Sequence, residues 1–354
     1  MQPSTEAKTI VRSLEERLAA GESVICAEGY LLELARRGYI SYGGFVPEVV
    51  VECAEMVKSL HYEFVHCGTD VIEAFQYDNN RDRLKKGGRE QDLEKINRKA
   101  LQMAREVARE KGLLLAGGTA QSFVYVPGDK ESYAKSRASI EEQVKWAVEE
   151  GADYVIGETF RYFGEAMIAL EVIKSYGKPA VITFCVPRRD DNGQLTLLDG
   201  VNVGDACKQL ADAGALVVGA NCSRGPDTMI EVIEEIRKKC PNTHLAALPV
   251  AYRTTEDEPT MYNITDKELN QPAYPDQLDP LFVSIREIKS FTKKAYDLGV
   301  RYFGICCGNS GNFTRAMAES LGRTPPASKY VTSFSKSVGA EQKGSLYCER
   351  GRVL

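Results

Sequence analysis

No apolar run reaches the roughly 18 residues that a spanning helix needs, so a conventional membrane segment is not expected. The first stretch, MQPSTEAKTIVRSLEERLAAG, has neither the apolar core nor the small-residue cleavage site of an export signal, and a cytoplasmic location is the expectation. Neither GxGxxG after the first apolar run nor GxxxxGK[ST] occurs, which removes the usual support for a nucleotide-binding fold. Histidine is scarce, with 3 in 354 residues and no HxH pair, so a hydrolytic zinc barrel lacks its ligand motif. Two of the three, His61 and His66, fall on one apparent helix, where packing or surface roles are expected. Basic residues form no stripe, and a net charge of -5 argues against a nucleic-acid partner.

What is present is an ordinary globular composition, 43% hydrophobic and 27% charged, in a chain long enough for one large α/β barrel. A unit recurs along it. A charged amphipathic helix ends, a glycine follows, and a short continuous apolar run begins. The unit occurs at Gly21 (AGESVIC), Gly68 (CGTDVIEAF), Gly112 (KGLLLAGG), Gly151 (EGADYVIGE), Gly177 (YGKPAVITF), Gly214 (AGALVVGAN) and Gly299 (LGVRYFGICC). HLAALPV, beginning at His244, adds an eighth run, with Asn242 as a possible helix terminator. Continuous apolar runs suit parallel strands covered on both faces, and eight helix-to-strand transitions fit a single closed (β/α)8 TIM barrel. The expected strands are near 23–27, 70–75, 113–118, 153–158, 179–185, 215–221, 244–249 and 301–306. Residues 1–20 read as a polar tail and helix, 21–324 as the barrel, and 325–354 as a polar C-terminal extension. The polar stretch between Arg253 and Pro280 follows the seventh run, where barrel loops cover the active face.

Ten cysteines in a long chain without an export signal read as reduced thiols or metal ligands, not as a disulfide framework. Cys26, Cys53, Cys67, Cys185 and Cys207 sit in apolar or helical contexts and suggest small buried fillers, while Cys240 and Cys348 carry no specific signal. Two expected strand ends carry thiols: GANC at Cys222, and GICCGN at Cys306 and Cys307. In a barrel these ends share one rim, so three thiols can converge on one ion. Neighbouring residues in a regular strand point to opposite faces, so Cys306 and Cys307 can both ligate only if the strand has already ended. Three soft sulfur ligands select zinc and leave a fourth tetrahedral position open for a substrate thiol. Buried core cysteines, or a vicinal disulfide, are the plainer alternatives.

These segments resemble the homocysteine S-methyltransferase family, and within it the betaine–homocysteine methyltransferases. The likeness runs through LARRGYISYGGFVPE, LHYEFVHCGTDVIEAF, LLLAGGTAQS, ADYVIGETF, AGALVVGANCSRGP, LPVAY and AYDLGVRYFGICCGN. It implies a catalytic Zn2+ on Cys222, Cys306 and Cys307, and methyl transfer from an onium donor to homocysteine. It also implies that Glu158 grips the acceptor's amino group, that Gly117 and Gln121 border substrate, and that the protein is a homo-oligomer with small-molecule substrates. Asn221 is placed to orient Cys222 or a substrate carboxylate.

Several positions depart from the family pattern. Its Asp-Gly-Gly after the first strand is Ala27-Glu28-Gly29 here, so Glu28 is a candidate replacement beside Gly29. Tyr30, Phe45 and Tyr77 can form a partial aromatic cage for a quaternary cation. The usual Trp is Phe45, a usual Tyr is Asp78, and the Tyr after the fourth-strand Glu is Thr159. A sulfonium donor, a different thiol acceptor, or a zinc-holding barrel without chemistry are the alternatives those changes raise.

Overall fold

The computed structural model describes residues 11–41, 48–187 and 189–331. Helix α1 (Leu14–Ala19) precedes β1 (Val24–Ala27), and α2 (Tyr30–Arg36), α3 (Val49–Glu52) and α4 (Ala54–Cys67) lead to β2 (Val71–Glu73). Helices α5 (Arg81–Lys86) and α6 (Leu93–Lys111) precede β3 (Leu114–Ala120), α7 (Lys130–Glu149) precedes β4 (Tyr154–Phe160), and α8 (Phe163–Ser175) precedes β5 (Ala180–Phe184). Then come α9 (Val203–Asp212), β6 (Val217–Asn221), α10 (Pro226–Lys239) and β7 (His244–Leu248). A small antiparallel ladder, β8 (Thr265–Asp266) with β9 (Gln271–Pro272), lies in the long loop before α11 (Ile285–Asp297), β10 (Val300–Ile305) and α12 (Gly311–Ser320).

The barrel closes because β1 pairs in parallel with both β2 and β10, giving the circular order β1-β10-β7-β6-β5-β4-β3-β2. This is the expected (β/α)8 architecture. The punctuating glycines act as anticipated: α6 terminates at Gly112, whose φ of +66° lets the chain reverse into β3.

Apart from irregularities in β4 and β10, side chains alternate along the strands and separate two apolar layers. Ile25, Ile72, Leu115, Val155, Ile182 and Val218 face the surrounding helices. Val24, Cys26, Val71, Leu114, Tyr154 and Tyr302 fill the barrel interior, where the Tyr154 and Tyr302 hydroxyls are 2.9 Å apart. Leu14 and Leu18 of α1 join that inner cluster, so the helix stoppers the end where the strands begin. A reciprocal cap between Ser13 and Glu16 fixes its first turn. Followed toward the opposite end, the inward phase of the strands reaches Glu73, Glu158 and Asn221, with Glu28 and Cys306 just past the ends of β1 and β10. Alternation and the turns that follow the strands together deliver polar groups to one mouth.

The differences from expectation are local. Strand β2 spans only Val71–Glu73, because the Gln76 amide turns back to donate to the Ala74 carbonyl at 2.7 Å. Helix α10 stops at Lys239, with Cys240 rather than Asn242 at its end. Cys240 is also no loose loop residue, being buried with its sulfur 4.0 Å from the Gly204 carbonyl. Of the C-terminal extension, Pro326–Tyr330 forms a 3-10 turn with Ala327 buried. Residues 1–10, 42–47, 188 and 332–354, which include Phe45 and Cys348, lie outside the described residues.

Candidate metal and substrate site

The thiols of Cys222, Cys306 and Cys307 converge at the C-terminal mouth, with their sulfur atoms all within 4.8 Å of one another. Strand β6 ends at Asn221, and Cys222 and Ser223 then adopt φ of +60° and +55°. Left-handed backbone costs a non-glycine residue on the order of 1 kcal/mol. Bonds from the Cys222 amide to the Leu248 carbonyl (2.9 Å) and from the Met261 amide to the Ser223 carbonyl (2.7 Å) hold the turn in place. Strand β10 ends at Ile305, so Cys306 and Cys307 have left the pleat and both sulfurs can face one point. The loop carrying them is tied to the segment after β7: the Cys306 amide donates to the Pro249 carbonyl (2.8 Å) and the Ala251 amide to the Cys307 carbonyl (2.9 Å).

The Cys222 and Cys307 sulfurs are 3.7 Å apart. Two ligands of a tetrahedral zinc with bonds of about 2.3 Å stand about 3.8 Å apart, so this donor set fits the ion. Hydrogen bonds from Cys306 and Cys307 hold the Cys222 thiol well below its ordinary value, while those two thiols are pushed up in turn. Gly29 presses against this centre. At its φ of +88°, an added Cβ would stand 2.4 Å from the Cys306 carbonyl oxygen. The Asn309 amide group secures the same strand end by donating to the Glu28 carbonyl at 3.0 Å.

Three buried carboxylates, Glu28, Glu73 and Glu158, adjoin the sulfurs. Burial and the neighbouring charge of Cys222 push Glu158 up to about 7. Burial, reinforced by Glu158, drives Glu28 and Glu73 well above the carboxylate range. Neither Glu28 oxygen has a hydrogen-bond partner among the described residues. So much latent negative charge in one buried space suits cationic guests, namely a metal ion and a ligand ammonium. Glu158 is held from behind by Asn221, whose amide donates to Glu158 Oε2 (3.1 Å) and Thr159 Oγ1 (2.8 Å). Its oxygen accepts from the Thr159 amide (2.9 Å) and the Thr183 hydroxyl (2.8 Å).

Above this floor lies a cavity of about 350 Å³. Among the residues singled out from sequence, Glu28, Gly29, Tyr30, Tyr77, Asp78, Gln121, Glu158, Thr159 and the three cysteines line it. Tyr30 presents its ring, flanked by Phe64 and Phe75, and its hydroxyl shares a 2.8 Å hydrogen bond with His61 Nδ1. Burial takes His61 down to about 3, so the imidazole is neutral.

Two expected contacts fall elsewhere. Gly117 points outward, where an added Cβ would meet the Ala147 side chain of α7 at 2.4 Å, so its smallness serves helix packing and not substrate approach. Asn221 stands behind Glu158 and Thr159 and does not border the cavity. Sequence reasoning missed Glu73, Arg83, Phe123, Arg161, Tyr262 and Tyr274. Glu73 had a usable signal, a carboxylate inside an apolar strand run at the inward phase. The tyrosines come from the aperiodic loop after β7, which has no phase to read.

The mouth is mixed in charge. Burial raises Asp78 to about 6 against the pull of Arg83 and Arg161, and its carboxylate lies 3.6 Å from Arg83 Nε. Arg83 stacks on Phe123 at 3.5 Å from the ring centroid, and Tyr262 meets Tyr274 edge-on at 4.8 Å.

Residues 19–321 match the family model described as homocysteine S-methyltransferase. The chain belongs to the homocysteine S-methyltransferase family. Betaine–homocysteine S-methyltransferase 1 of Xenopus tropicalis is 35% identical over 94% of this chain and 82% of its own length. An S-methylmethionine–homocysteine S-methyltransferase of Pongo abelii is 32% identical over 94% of this chain and 88% of its own. Among solved structures, the homocysteine methyltransferase MmuM of Escherichia coli in its oxidized form shares the fold with a TM-score of 0.65 at 18% identity. It covers 87% of this chain and 98% of that one. Family membership makes this chain an S-methyltransferase, and the converging thiols are the group on which that chemistry can centre.

Proposed function

We propose that the protein is a zinc-dependent methyltransferase that moves a methyl group from an onium donor to homocysteine, forming methionine. The convergence of Cys222, Cys306 and Cys307, with a sulfur separation of 3.7 Å at the floor of the cavity, carries this reading. When bound by those residues, zinc supplies positive charge that lowers the proton affinity of a thiol brought to its open position.

The remaining work falls to the chain. Glu158, positioned by Asn221, faces the acceptor's ammonium. Glu28 follows the end of β1, where the family's Asp is replaced by Ala27. Burial excludes water from the reacting sulfur, so charge neutralisation between a thiolate and an onium methyl is felt strongly. After the thiol proton has passed to solvent, a sulfur–carbon bond forms as the donor's nitrogen–carbon or sulfur–carbon bond breaks. The departing amine or thioether retains the electron pair. Neither proton donor nor base is needed in that transfer.

The aromatic surround supports an onium guest. Tyr77, Tyr262 and Tyr274 border the cavity, and π faces attract such cations. Thr159 and Asp78 stand where an all-aromatic cage would have rings, which favours a sulfonium donor as the second reading. Assembly into a homo-oligomer is proposed on the family likeness alone.

Replacing Cys307 by Ala tests the proposal directly. The variant should lose both stoichiometric zinc, measured by atomic absorption, and methionine formation from homocysteine with a panel of onium donors. Full turnover by a zinc-free C307A protein would end the proposal.

A further inference from the structure

Arg161 follows β4 by one residue and lines the cavity that Glu158 floors. Its backbone is fixed by the Leu198 amide, which donates to the Arg161 carbonyl at 2.8 Å. The side chain is half-buried, yet its guanidinium forms no ion pair with a described residue. Its neighbours are the Tyr262 ring, 5.9 Å from Cζ to the centroid, and the Cys185 thiol. Asp78 contributes long-range attraction but sits closest to Arg83. A partly desolvated guanidinium with unused donors on a pocket wall asks for an anion from the ligand, and a carboxylate matches its fork.

In-line transfer decides which ligand supplies that anion. The acceptor's sulfur must reach the cysteines, and its ammonium is met by Glu158 at the floor. The donor must then lie on the far side of the migrating methyl, toward the loops that carry Asp78, Arg161 and Tyr262. We propose that Arg161 is a specificity-determining contact for the methyl donor, holding a donor carboxylate on the cavity wall and so discriminating against a bare onium cation. The inference rests on the methyl-transfer reading. Its onium end faces Tyr77, Tyr262 and Asp78, while its carboxylate is held by Arg161.

The test combines turnover with binding. Zinc-loaded wild type, R161Q and R161K are assayed with trimethylammonioacetate and with trimethylsulfonium, which has no carboxylate. Calorimetry follows binding of 3,3-dimethylbutanoate, an inert carbon isostere of the first donor that cannot be demethylated. Loss of a charge-assisted fork should raise the R161Q donor KM and the isostere Kd by about tenfold to a hundredfold. Trimethylsulfonium and homocysteine KM values should stay near wild type, and R161K should recover much of the loss. A rise in homocysteine KM instead, or equal losses for both donors, would assign Arg161 to the acceptor or to structure and overturn the proposal. Absence of methionine from every donor, with isostere binding still dependent on Arg161, would instead remove the methyl-transfer reading and leave the carboxylate site standing.

Discussion

At the residue scale, the site is governed by how charge is buried. Asp78 is raised to about 6 by burial, from an ordinary value of 3.8, with only partial relief from Arg83 and Arg161. A carboxyl whose folded value is raised contributes stability that is complete below the unfolded value and is lost as pH climbs. Here the loss runs between pH 3.8 and about 6. A shift of that size corresponds to roughly 3 kcal/mol. D78N should therefore gain stability relative to wild type on going from pH 4 to pH 7, by up to that amount, as read from urea unfolding at both pH values. A constant difference would show that Asp78 is not destabilised by ionising in place. For Glu158, replacement by Gln should raise the homocysteine KM by about tenfold to a hundredfold, the worth of one charge-assisted bond. Donor KM should change little in the same steady-state assays.

At the element scale, two glycines that look alike in sequence do opposite jobs. Gly29 lies under the loop that carries Cys306 and Cys307, where a methyl group would collide with the Cys306 carbonyl. G29A should shift that loop and lower zinc stoichiometry while the barrel still folds, measured by metal content against circular dichroism. Gly117 lies under α7, against Ala147. G117A should cost about 1–3 kcal/mol through overpacking and leave both KM values unchanged. A large rise in homocysteine KM would restore Gly117 to the substrate wall. The distinction was legible in principle, because residues 114, 116 and 118 share the inward phase of β3 and 117 does not. The cysteines were legible for a related reason. Cys222 and the Cys306–Cys307 pair each sit just beyond an apolar run, where the pleat has ended and sulfurs are free to turn.

For the whole molecule, the glycine-punctuated apolar runs foretold eight strands covered on both faces, and the pairing of β1 with β10 closes them into a barrel. What the runs could not foretell is how loops without periodicity fold over the mouth. Tyr262 and Tyr274 reach the cavity from such a loop, and their contribution depends on contacts far away in sequence. The start of the chain was legible only as an amphipathic helix, whereas in the fold its Leu14 and Leu18 plug the barrel. L18A should destabilise the protein by about 2–5 kcal/mol, the usual cost of emptying a buried leucine site, without altering zinc content.

Among the described residues, that plug closes the end of the barrel opposite the cysteines. In the proposed arrangement the guest on the cysteines and Glu158 sits behind the guest near Arg161, so traffic through the mouth would be first in, last out. The thiol substrate should enter ahead of its co-substrate, and the spent donor should depart before methionine can escape. Product-inhibition patterns would then show an obligatory sequence, with methionine competing against homocysteine alone.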